Sequence, residues 1–196
     1  MRTLFALFVG CVLATSASVT FAAEPRSSQP DETWREARVR PQDPRLVELI
    51  RTGVGRSATL RDIVRRLEAG NLIVYISLNP AMKSNLAGKL TWMTKSGIFR
   101  YVKVTINTEQ SSDAMIATLA HELHHALEVG GDDSVIDQRS LAGLYKRIGR
   151  PSISNAISGY ETAAAQATGF QVRRELAAAT AAAAAAASRA GDSSQS

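Results

Sequence analysis

Three histidines stand at positions 121, 124 and 125, and the chain has no others. His121 and His125 are four residues apart, so on a helix they leave the same face about one turn from each other. Two imidazoles so placed can each direct one nitrogen at a single tetrahedral metal ion, and Zn2+ suits that donor type. Glu122 follows the first histidine directly. From there it reaches a water on the metal rather than the metal itself, so it can take that water's proton and later hand it to a leaving amine. His124 leaves a second pairing open, His121 with His124, because three-apart spacing also occurs in metal sites. The bland alternative is a helix with packed or exposed histidines and no metal. It leaves unexplained why all three fall within five positions.

A zinc site needs further ligands, and the composition limits them to carboxylates. The only cysteine is Cys11, inside an N-terminal leader, so the mature chain forms no disulfide and offers no thiolate. Glu128, Asp132, Asp133, Asp137, Glu161 and Glu175 are the acidic candidates beyond the motif. Asp132 and Asp133 follow Gly130-Gly131, a turn able to fold them back towards the histidines. An oxyanion would need a donor, for which Tyr145, Tyr160 and Arg147 are the available types.

The elements that must position these groups follow from periodicity. Helices are predicted over residues 44–52, ended by Gly53, and 59–68, with Leu60, Ile63, Val64 and Leu67 as its apolar face. Residues 72–76 read as a buried strand closed by Asn79-Pro80. Leu90 and Trp92, a turn at Lys95-Ser96-Gly97, and Val102, Val104 and Ile106 form a β-hairpin. The histidine helix starts at a Ser111 or Ser112 cap, with Asp113 in its first turn, and ends at Gly130-Gly131. Further helices are predicted over 134–148 and from about 152 to beyond 176. The expected fold is α+β: a small antiparallel sheet with its hairpin packed on the histidine helix, closed by C-terminal helices.

Four segments make up the chain. Residues 1–23 carry a short positive start, an apolar run and small residues before Glu24-Pro25, the order of a cleaved secretory signal peptide. Residues 24–42, rich in Pro, Ser, Gln and charge, read as a flexible linker. Residues 43–176 form the single folded domain, and 177–196 an alanine-rich tail with little to bury. Once the leader is removed, no stable membrane insertion is expected, which places the protein in the periplasm or outside the cell. Net charge is +5, but the basic residues are scattered among acids with no aromatic interleaving, which argues against nucleic acid as partner. Weak adhesion to anionic envelope polymers is the remaining consequence of that charge.

Residues 118–127 resemble the active-site helix of the zincin metallopeptidases. The resemblance implies a zinc peptidase with His121 and His125 as ligands, Glu122 as catalytic base, and a peptide or protein as substrate. In that superfamily the helix lies beneath an edge strand that holds the peptide, and residues 101–107 would be its counterpart here. His124 departs from the pattern, where a smaller or apolar residue is usual. In the gluzincin branch a glutamate on a later helix, followed by small residues, completes the site. Tyr160-Glu161-Thr162-Ala163-Ala164-Ala165 is similar, which implies Glu161 as third ligand. The competing function is a non-catalytic secreted or periplasmic protein that keeps the zincin fold for binding. Substrate preference and oligomeric state are not written in the sequence.

Overall fold

A computed structural model describes residues 36–82, 86–151 and 159–192 of the 196-residue chain. The leader, most of the expected linker and the stretch where the last helix was expected to start lie outside those residues.

The fold is α+β, built on a mixed four-stranded sheet. In chain order it contains β1 (Val39–Pro41), α1 (Pro44–Arg56), α2 (Ala58–Glu68), β2 (Leu72–Asn79), β3 (Gly88–Ser96), β4 (Phe99–Asn107) and α3 (Ser112–Gly130). These are followed by α4 (Gln138–Ile148), the two-residue strands β5 (Arg150–Pro151) and β6 (Tyr160–Glu161), and α5 (Ala163–Asp192). Strand order is β1-β2-β4-β3; β1 and β4 both run parallel to β2, and only the β3–β4 hairpin is antiparallel. An antiparallel sheet was expected, and the difference has a cause. The helical pair α1–α2 carries the chain back across one end of the sheet, which allows β1 and β2 to pair in parallel. Val39, fully buried, brings part of the stretch read as linker into this sheet.

One face of the sheet is apolar. Register aligns Val74 with Val102 and Ile76 with Val104, while Leu90 and Trp92 of β3 oppose Val104 and Val102. Alternation therefore puts these residues on one side, and Tyr101 and Lys103 of β4 stand half-buried on the other. The apolar face joins Ile116, Leu119, Leu123 and Ala126 of α3 in a single core. No helix among the described residues is long and apolar enough to cross a membrane.

Ser57, Ser111 and Asp137 each accept a hydrogen bond from a backbone N–H in the first turn of α2, α3 and α4. Of these three caps, only Ser111 was read from the sequence. Three helix boundaries differ from expectation, one of them the last helix, which starts at Ala163 after β6 instead of near residue 152. Helix α1 continues through Gly53, because a Cβ there would lie 2.6 Å from Leu60 Cδ2 and 2.8 Å from Ile116 Cγ2. That glycine marks a close helix crossing instead of a stop. Helix α4 starts at Gln138, since Asp137 closes a capping box with Ser140.

Candidate metal centre

Helix α3 is buried on nearly every side, which draws part of the histidine motif inward. His125 and Glu122 are buried, and His121 and His124 are half-buried. Small residues let α5 lie close: Ala165 and Thr168 are buried, and a Cβ on Gly169 would stand 3.6 Å from His121 Cβ.

Glu161 reaches the histidines from β6, not from a helix as the sequence pattern implied. Its backbone is held by antiparallel pairing, Arg150 opposite Glu161 and Pro151 opposite Tyr160. Gly149 makes that approach possible, because a Cβ there would fall 2.8 Å from Tyr145 O and 3.2 Å from Glu161 O. The Glu161 carboxylate Oε2 lies 3.0 Å from His121 Nε2 and 4.0 Å from His125 Nε2. The two imidazoles meet edge to face, with ring centroids 4.9 Å apart. One donor atom from each of His121, His125 and Glu161 falls within 4.8 Å of the other two, and among the described residues this is the group able to hold a metal ion.

The orphaned oxygen supports that fit. Glu161 Oε2 is enclosed, and no hydrogen is aimed at it in spite of its 3.0 Å approach to His121. Three donors converging on one point, with the oxygen turned towards it, are what a metal ion would satisfy. Ligands held at about 2.0–2.1 Å from a tetrahedral ion stand roughly 3.3 Å apart, so the 3.0 Å His121–Glu161 spacing would open slightly while the 4.0 Å His125–Glu161 spacing would close.

The electrostatics show how strongly the groups interact. Glu122 is pushed up to about 7, mainly by burial, with the Glu161 charge adding to the rise and the two histidines opposing it. Burial works to lower His121, but the adjacent Glu161 and the charges of Glu122 and Glu128 raise it overall. Burial would raise Glu161; the imidazoles of His121 and His125 hold it below the usual carboxylate range.

The remaining candidates are engaged elsewhere. His124 Nδ1 lies 2.9 Å from Thr168 Oγ1 on α5, so the His121–His124 pairing is not assembled. Asp132 accepts from Ser134 and pairs with Arg147 at 2.5 Å, and Asp133 is exposed beside Arg100. Asp137 caps α4, and Glu175 accepts hydrogen bonds from Ser57 and Thr59 at the start of α2. Tyr145 donates to the His125 carbonyl (3.2 Å) and sets its ring against that imidazole. Tyr160 stands half-buried in β6. Glu128 is not a ligand in this group; His125 Nδ1 donates to it at 2.7 Å.

Gly88 is a site residue that periodicity could not have found. It opens β3, and a Cβ there would lie 2.9 Å from Glu122 Cγ and Oε1 and 2.8 Å from Thr118 Cγ2. The strand expected at the edge, residues 101–107, is central; β3 is the edge strand, and its first residue presses on the catalytic candidate. Set beside family models, curated proteins and solved structures, the chain matches none.

Proposed function

We propose that the chain is a zinc-dependent hydrolase of peptide or amide bonds, acting outside the cytoplasm after loss of its leader. The observation that carries this reading is the convergence of His121, His125 and the orphaned Glu161 oxygen beside a buried Glu122. Two imidazoles and one carboxylate are a ligand set that catalytic zinc uses, with one position left for water or substrate. When bound, the ion supplies Lewis-acid polarisation and a water of lowered pKa.

Glu122 is assigned the proton transfer. Burial raises the Glu122 carboxyl in the metal-free protein and a bound cation would favour its ionised form, so between the two it can take a proton from water and pass it to a leaving amine. Gly88 excludes bulk from the space next to that carboxylate and so keeps it directed. Among the described residues strand β3 has no neighbour on its outer edge, and an extended peptide could add to it through main-chain hydrogen bonds. Such a peptide would run past Gly88 towards Glu122.

A second reading, metal binding without turnover, draws on Tyr145 and Arg147. Tyr145 spends its hydroxyl on the His125 backbone carbonyl and Arg147 pairs with Asp132, so neither donor is aimed at the point where the ligand atoms converge. The same experiment separates the two: zinc content and peptide hydrolysis are measured for wild type, Glu122→Gln, His125→Ala and Glu161→Ala. One zinc in wild type and in Glu122→Gln, its loss in the other two, and turnover in wild type alone are expected. Zinc without hydrolysis across a broad peptide panel would favour binding, and undiminished turnover in Glu122→Gln would end the proposed mechanism.

A further inference from the structure

Glu128 lies one helical turn beyond His125, and its side chain is largely enclosed. Its Oε2 accepts from His125 Nδ1 at 2.7 Å, and its Oε1 accepts from Thr162 Oγ1 at 2.6 Å. Thr162 follows Glu161 directly, and its hydroxyl oxygen in turn accepts from Ala165 N in the first turn of α5. One chain of contacts thus runs from the start of α5, through Thr162 and Glu128, to the imidazole of His125. The backbone that delivers Glu161 to the histidines also delivers the hydroxyl that holds Glu128.

We infer that Glu128 is a positioning residue, fixing His125 in the tautomer and ring orientation that offer Nε2 to the metal, with Thr162 as its anchor. An ionised carboxylate only accepts, so the proton of this contact sits on His125 Nδ1 and the lone pair on Nε2. That nitrogen is the one 4.0 Å from Glu161 Oε2. The contact also couples the site's two halves: α3 brings two ligands, β6 brings the third, and Glu128–Thr162 sets them relative to each other. Outer carboxylates of this kind alter metal affinity by about 10–100-fold when removed. The role rests on the proposed metal site, so its test carries a readout that needs no metal.

The test uses the full mature chain. Nitrogen-15 NMR of the metal-free protein near pH 8 reads the His125 tautomer, and competition with a chromophoric chelator reads Zn2+ affinity. Wild type is expected to hold His125 as Nδ1–H, and Glu128→Ala to lose that preference and weaken zinc by about 10–100-fold. Thr162→Val should weaken zinc in the same direction and Thr162→Ser should restore it, since serine keeps the hydroxyl. Should Glu128→Ala not fold, the near-isosteric Glu128→Gln decides by zinc affinity, with a several-fold loss expected. An Nε2–H tautomer in wild type, or zinc affinity unchanged in the Glu128 variants, overturns the inference while leaving the metal site standing. Failure of wild type to bind zinc overturns the proposed function instead, and with it this role for Glu128.

Discussion

At the scale of the residue, Glu122 is held where a carboxylate is least comfortable. Burial raises it to about 7, against an ordinary value of 4.5. In the metal-free protein its folded pKa lies above its unfolded one, so the folded state binds the extra proton between those values. Stability should therefore be greatest below about pH 4.5 as far as this group is concerned, and fall as pH rises through 7. A shift of this size corresponds to something on the order of 3 kcal/mol when fully expressed. Glu122→Gln removes the charge and keeps the shape. Denaturant unfolding of the metal-free proteins should find the variant more stable at pH 8 and the two nearly equal at pH 4.5. An identical pH profile in both would show that Glu122 is solvated rather than buried. Added zinc should narrow the gap at pH 8, because a nearby cation favours the ionised carboxylate.

At the scale of the element, the active groups depend on two close approaches made by glycine. Gly149 admits the backbone of β6, and Gly88 admits Glu122 beneath the first residue of the edge strand. Gly88→Ala would place a methyl group 2.9 Å from Glu122 Oε1 and 2.8 Å from Thr118 Cγ2, too near for either to remain where it is. Thr118 is further held by its hydroxyl, which donates to Gln110 Oε1 at 2.9 Å. The expected outcome is loss of most turnover and about 1–3 kcal/mol of stability, with zinc content unchanged. Metal analysis beside an unfolding curve and a peptide assay checks it, and full activity in the variant would detach β3 from the reaction. These contacts also mark where the sequence stopped being readable. The His121–His125 spacing and the Ser111 cap are local, and local pattern placed the histidine helix nearly to the residue. Glu161 was found by its neighbours Thr162 to Ala165, yet its element was mistaken, since a two-residue strand has no periodicity to read. Gly88 meets Glu122, and Gly53 meets Ile116 besides the nearby Leu60; Ile116 and Glu122 each stand more than thirty residues further along, which no window on the sequence contains. Glu128 did leave a signal, three residues after His125 on the same helix, but spacing alone could not separate a ligand from its support.

At the scale of the whole molecule, the end of α3 remote from the histidines is tied down by charge. Arg56, in the last turn of α1, makes a two-pronged pair with Asp113 at 2.6 and 2.8 Å and also donates to the Leu176 carbonyl of α5. Beside it Glu175 accepts from Ser57 Oγ, Thr59 N and Thr59 Oγ1, joining α5 to the positive start of α2. This junction sets the direction of α5, and α5 supplies Thr168 and Gly169 to the histidine face. Residues 181–187 are exposed alanine and contribute little burial, so this end of the helix should be dispensable for folding where Glu175 is not. Burial would raise Glu175, but the hydrogen bonds from Ser57, Gln171 and Thr59 bring it down to about 2. Its folded pKa lies below the unfolded 4.5, so its stabilisation is complete above that value and disappears as pH falls from 4.5 towards 2. Glu175→Gln should cost roughly 1–3 kcal/mol at pH 7, the range for hydrogen bonds to a charged group, and much less at pH 3. Urea midpoints at the two pH values measure it. If the penalty is the same at both, the carboxylate charge contributes nothing to holding α5. If it shrinks with acid as expected, the same variant should loosen zinc only slightly, because the site's own ties through Glu128 and Thr162 stand at the other end of the α3–α5 contact.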